Sequence, residues 1–140
     1  MRGGPPAALA LAFALAGCET FQPNTCDTSV TGNPAVVYAG GKAQGGVYQS
    51  SPPGGELLAF PGGMLYALQH DLGAAPRWVS VWVSFEESGT ADGGSVARAS
   101  ANEAVIRGVS DTTITVQNEG CQDYWLLVAA GTGATQPPDP

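Results

Sequence analysis

The chain has 140 residues, enough for one ordinary domain with its own core and too few for two. Lys and Arg number 5 against 12 Asp and Glu, a formal charge of −7, which argues against nucleic acid as a partner and against a domain lying flat on anionic lipid. With 20 Gly, 11 Pro and only 12% charged residues, the composition favours short strands and many turns over helices.

The chain opens with Met1-Arg2-Gly3-Gly4, continues through an apolar core from Ala7 to Ala16, and places the small Gly17 before Cys18. A positive start, a short apolar core and small residues at the cut are the parts of an export leader. At roughly 1.5 Å per residue a helix of about ten residues covers only about half of the roughly 30 Å hydrocarbon slab, so this core is not a membrane span. Pro5-Pro6 bar helix until after Pro6.

The run Leu15-Ala16-Gly17-Cys18 resembles the lipobox of bacterial lipoproteins at all four positions. The resemblance implies a signal peptide over residues 1–17 and a mature chain that begins at Cys18, which carries a thioether-linked diacylglycerol and a further acyl chain such as palmitate on its amine. One chain binds membranes only marginally, whereas two or more, at about 0.8 kcal/mol per buried CH₂, give a stable anchor. In such proteins an aspartate after the cysteine is associated with inner-membrane retention; Glu19 stands there instead. The implied address is the cell envelope, at the outer membrane of a double-membraned bacterium. Residues 18–25 would be the lipidated N-terminus and tether. Losing Arg2 with the leader takes the formal charge from −7 to −8. Two alternatives stay open: Cys18 as an ordinary cysteine after a conventional secretory leader, and residues 1–18 as a buried helix.

With Cys18 committed to lipid, Cys26 and Cys121 are left as an even pair in an oxidising compartment, and a Cys26–Cys121 disulfide is expected. It would staple the start of the domain, residues 26–130, to its last strand. The alternative is two free buried thiols. No Cys-x-x-Cys spacing points to a redox pair.

From Val36 onwards the apolar residues repeat with a period of two and are interrupted by Gly, Pro, Asn and Asp, the pattern of strands and turns. The predicted strands are, in order, 36–39, 46–50, 56–60, 64–69, 77–85, 95–100, 103–108, 112–117 and 124–129. In the fifth, Val79, Val81, Val83 and Phe85 share the face expected to enter the core, and Trp78, Ser80, Trp82 and Ser84 share the other. Ile114 and Val116 should point inward from the eighth. The ninth, Tyr124-Trp125-Leu126-Leu127-Val128-Ala129, is apolar on both faces, as a central strand covered from each side would be. The alanines at 97, 99, 101 and 104 fit either extended chain or a short turn. Residues 131–140, rich in Gly, Thr and Pro, have nothing to bury and are expected to form a disordered tail. The expected fold is all-β: a compact antiparallel β-sandwich, or a small barrel.

The stretch His70-Asp71-Leu72-Gly73-Ala74-Ala75-Pro76 resembles a His-x-Leu-Gly-x-x-Pro turn of small β-modules in phage tail and fibre proteins. The resemblance covers about half the chain. It implies an antiparallel β-sandwich and carries no activity, because those modules serve varied structural and surface-binding tasks.

Chemistry is sparse. His70 is the only histidine; it is expected to bond backbone at the junction of a strand and a turn, and one imidazole makes no multi-histidine metal site. Glu86, Glu87 and Asp92 crowd one connection, where carboxylates could serve glycoside hydrolysis or hold calcium but lack the regular spacing of a calcium loop. No catalytic residue, metal site or cofactor is assigned. Trp78 and Trp82, with Ser80 between them, would form a stacking platform for a glycan or an envelope protein if exposed, and core if covered. The expectation is a membrane-tethered, non-enzymatic structural or binding domain. A glycan- or surface-ligand-binding module using Trp78 and Trp82 comes second, and a hydrolase third.

Overall fold

The computed structural model describes residues 28, 34–89, 91–136 and 139–140. The leader, Cys18, the tether and Cys26 lie outside the described residues. Among the described residues there are ten strands: β1 Val36–Tyr38, β2 Lys42–Gln44, β3 Val47–Gln49, β4 Leu58–Phe60, β5 Leu65–Gln69, β6 Trp78–Ser84, β7 Ala97–Arg98, β8 Val105–Val109, β9 Thr113–Gln117 and β10 Tyr124–Gly131. The only helical pieces among the described residues are two 3₁₀ turns, Ala91–Gly93 and Ala101–Glu103.

The strands form two sheets. The first has four strands in the order β1-β5-β9-β8; the second runs β2-β3-β10-β6-β7, with β4 also paired to β10. The fold is therefore an all-β sandwich, and the two sheets do not close into a barrel. Every pair is antiparallel except β1 with β5, which is parallel with Val36 opposite Tyr66. The parallel pair departs from the antiparallel pairing expected of the sandwich. It places the exposed Val36 and Val37 on an edge of the first sheet.

β10 organises the second sheet, as its apolar character on both faces foretold. Along one side it pairs with β6 from Trp125↔Ser84 to Gly131↔Trp78. Its other side is shared, with β4 against Tyr124 to Leu126 and β3 against Ala129 to Gly131. Ser50, fully buried, closes the gap: its N–H donates to the Val128 carbonyl at 2.9 Å and its hydroxyl accepts from the Val128 N–H at 2.9 Å. A side chain thus completes the ladder where β3 ends. β10 also runs to Gly131, beyond the predicted end at Ala129.

The inner faces meet in one cluster. Tyr48, Phe60 and Leu126 pack with Tyr66, Leu68, Ile114 and Val116, and Val81, Val83, Val128 and Ala130 complete it. The alternation assigned to β6 and β9 is the alternation found. Phe85 is a correction: expected to point inward with Val83, it is 74% exposed. The strand stops at Ser84, whose hydroxyl accepts the Glu86 N–H at 3.0 Å and turns the chain, so the period of two ends one residue before Phe85.

β2 falls in the connection between the predicted strands 36–39 and 46–50, where no strand was expected. The informative dipeptide is Gly45-Gly46, with φ of +60° and +77°. Two successive left-handed residues make the two-residue hairpin turn that sets Gln44 opposite Val47.

Candidate functional site

Taking the expected residues in turn, Cys121 stands between the Asn118 turn and β10 and is disulfide-bonded. Its expected partner Cys26, like Cys18, lies outside the described residues. His70 follows β5 directly and is fully buried. Its Nδ1 accepts the Leu72 N–H at 3.2 Å and its Nε2 lies 3.2 Å from the Ser110 carbonyl, which makes Nε2 the protonated nitrogen. Both ring nitrogens are thus occupied by backbone in the arrangement expected of a structural histidine. Glu86 and Glu87 are exposed in the β6–β7 connection. Among the described residues no three His, Cys, Asp or Glu side chains converge on a point that could hold a metal, and no helix is long and apolar enough to cross a membrane.

Trp78 and Trp82 do share the outward face of β6, but they are not an open platform. Trp82 is only 4% exposed, with the Arg98 guanidinium 5.3 Å from its ring centre. Trp78 is half-buried and its ring lies across Gly131 of β10; a Cβ at Gly131 would sit 2.5 Å from the indole. Among the described residues neither indole N–H nor the Ser80 hydroxyl between them has a hydrogen-bond partner. These side chains therefore contribute through packed area and not through polar bonds. Gly131→Ala forces that ring away and should cost about 1 to 3 kcal/mol, the usual range for overpacking. Urea denaturation followed by indole fluorescence would measure it.

The exposed aromatic surface lies elsewhere, at the end of the sandwich where β6 stops and β10 begins. Phe85 packs on Tyr124 with ring centres 5.4 Å apart and planes inclined at 47°. Two hollows flank this pair. One, of about 300 Å³, is lined by Phe85, Tyr124, Arg98, Glu103 and the serines 84, 95 and 100. The other, of about 260 Å³, is lined by Phe85, Tyr124, Trp125, Pro61 and Asp123. Phe85 and Tyr124 thus form a wall common to both.

The polar groups here are held by local structure. Glu103 ends the 3₁₀ turn Ala101–Glu103 and its Oε2 accepts from the Ser100 N–H at 2.8 Å and the Ser100 hydroxyl at 3.2 Å, a capping box. Asp123 accepts the Gly62 N–H through Oδ1 at 3.0 Å. In both, the hydrogen bonds within the described residues use one carboxylate oxygen. Burial, and then the nearby Glu103 carboxylate, push the Tyr124 phenol above its ordinary range, so at neutral pH it remains a donor. Arg98 is already matched: its guanidinium donates to both oxygens of Asp139, at 2.5 and 3.2 Å, and that bond holds the Asp139 carboxyl below its usual value. The expected tail therefore reaches back to β7 at Asp139.

Sequence reasoning missed this cluster. Its members come from the ends of β4, β6 and β10 and from the turn after β7, so no local spacing announces it. The one available signal was Phe85 beside Glu86-Glu87, an aromatic residue at the point where strand pattern gives way to a polar connection. No known protein family matches the chain, and neither a curated protein nor a solved structure is similar to it.

Proposed function

We propose that the chain is a lipid-anchored protein of the cell envelope whose β-sandwich works by binding and not by catalysis. The disulfide at Cys121 carries the reading, because such bonds persist in oxidising compartments outside the cytosol. It agrees with the export leader and lipobox at Leu15 to Cys18, and the chemistry of the three cysteines is self-consistent. A Cys18 sulfur held in a thioether to diacylglycerol has no thiol to offer, which leaves Cys26 for Cys121. The binding role rests on His70, whose two ring nitrogens are both taken by backbone, and on the exposed Phe85 ring beside two ligand-sized hollows. The acidic domain would stand off anionic headgroups on its tether, with Glu19 favouring the outer membrane.

Intact mass of the membrane-extracted protein, reduced and unreduced, with Cys18→Ala alongside, tests the anchor and the compartment together. The expected result is a chain that starts at Cys18, is heavier by its acyl groups, and gains two hydrogens on reduction; Cys18→Ala should lose the lipid and remain uncut. An unlipidated wild-type chain retaining Met1, with free thiols, would overturn the proposal.

A further inference from the structure

We propose that the paired hollows on either side of Phe85 and Tyr124 are a binding site for a neutral oligosaccharide, one sugar ring in each hollow with the aromatic wall between them. The inference rests on the domain being a binding module, and is independent of the anchor.

Three observations favour this ligand class. First, Phe85 is a large apolar side chain left 74% exposed, where a flat ring offers stacking area at little cost in conformational entropy. Second, the polar atoms around it suit hydroxyl groups: the carboxylates of Glu103 and Asp123 accept, and the Tyr124 phenol donates. Sugar hydroxyls, each a donor and an acceptor, satisfy both kinds. Third, the volumes of about 300 and 260 Å³ lie at the lower limit of small-ligand sites. They suit compact rings, not the extended flat contact that a stable protein interface needs.

Charge narrows the choice further. Arg98 borders the first hollow but is neutralised by Asp139, whereas Glu103 and Asp123 have no cation paired with them among the described residues. An acidic sugar would meet two carboxylates and no free guanidinium, so a neutral chain is favoured over a uronate or a phosphorylated glycan.

The test is calorimetric titration of the purified, folded protein with neutral cello-, chito-, manno- and malto-oligosaccharides, from disaccharide to hexasaccharide, with indole fluorescence as the second readout because Trp125 lines one hollow. Saturable binding of at least one series is expected, stronger for longer members until both hollows are filled. Phe85→Ala and Trp125→Ala should each weaken it about tenfold or more, a difference of about 1.4 kcal/mol, and Gln69→Ala, exposed on the other sheet, should leave it unchanged. Phe85 is exposed enough that its removal should not unfold the domain, and unfolding curves would verify that. The proposal is overturned if no series binds, if binding survives both aromatic substitutions, or if the surface instead retains an envelope protein through Phe85 while sugars give no heat. Failure here leaves the mass measurement of the anchor untouched, and the reverse also holds.

Discussion

Cys121→Ser should lower the unfolding free energy by up to about 4 to 5 kcal/mol, the chain-entropy value for opening a loop of nearly a hundred residues. Cys121 is disulfide-bonded at the entry to β10, the strand that pairs with β3, β4 and β6, so the constraint acts where the second sheet is organised. The proposed partner is Cys26. If that is correct, Cys26→Ser should cost as much as Cys121→Ser and the double substitution no more than either, since a bond is lost only once. Cys18→Ser should leave stability unchanged, because on the proposed reading its sulfur is held by the lipid. Urea denaturation of these four variants and the wild type in the same detergent distinguishes these cases. A matching loss at Cys18 and Cys121, with none at Cys26, would reassign the bond and at the same time remove the thiol on which the proposed anchor depends.

The sandwich was legible because its information is local. A period of two in Val79-Ser80-Val81-Trp82-Val83 tells which side chains enter the core without reference to any other strand, and an apolar run from Tyr124 to Ala129 marks a strand with neighbours on both faces. The arrangement of the aromatic residues was not legible, for the same reason. Whether Trp82 is a platform or a packed side chain depends on Arg98, sixteen positions away and opposite it across β6 and β7. Phe85 continues the parity of Val83 in sequence, and only the Ser84 hydroxyl turning back to Glu86 N–H shows that the strand has ended. The parallel β1–β5 pair is likewise a decision taken between segments and is not written into either one. Asn118-Glu119-Gly120 lies between the predicted strands 112–117 and 124–129, where sequence marks only a connection, while the amide of Asn118 is a structural centre.

Asn118→Ala is the substitution that should show this, with an expected loss of about 3 kcal/mol. Asn118 is fully buried just after β9. Its Nδ2 donates to the carbonyls of Phe60 at 3.0 Å and Gln122 at 2.8 Å, and its Oδ1 accepts the Gly120 N–H at 3.0 Å. One side chain thus ties the end of β4 to the turn that carries Cys121 and leads into β10. Alanine would remove all three bonds; the buried Phe60 carbonyl without its amide costs about 1 to 3 kcal/mol, and the part-buried bonds to Gln122 and Gly120 add about 0.5 to 1.5 kcal/mol each. Asn118→Asp tests the polarity of the contact: it keeps the acceptor for Gly120 but turns an oxygen toward two carbonyls that require a donor. Burial beside those carbonyls should raise the pKa of the new carboxyl above its unfolded value. The folded state then retains its stability at low pH and loses it as pH rises through that pKa, a slope with the sign that a protonated donor requires. Denaturation curves at several pH values would reveal it; a flat profile matching wild type would show that the amide does not serve as the donor. Phe60, Tyr124 and Asp123 also line the hollows beside Phe85. The same substitutions should therefore weaken sugar binding without touching the exposed ring itself, a loss that Phe85→Ala would reproduce in affinity but not in stability.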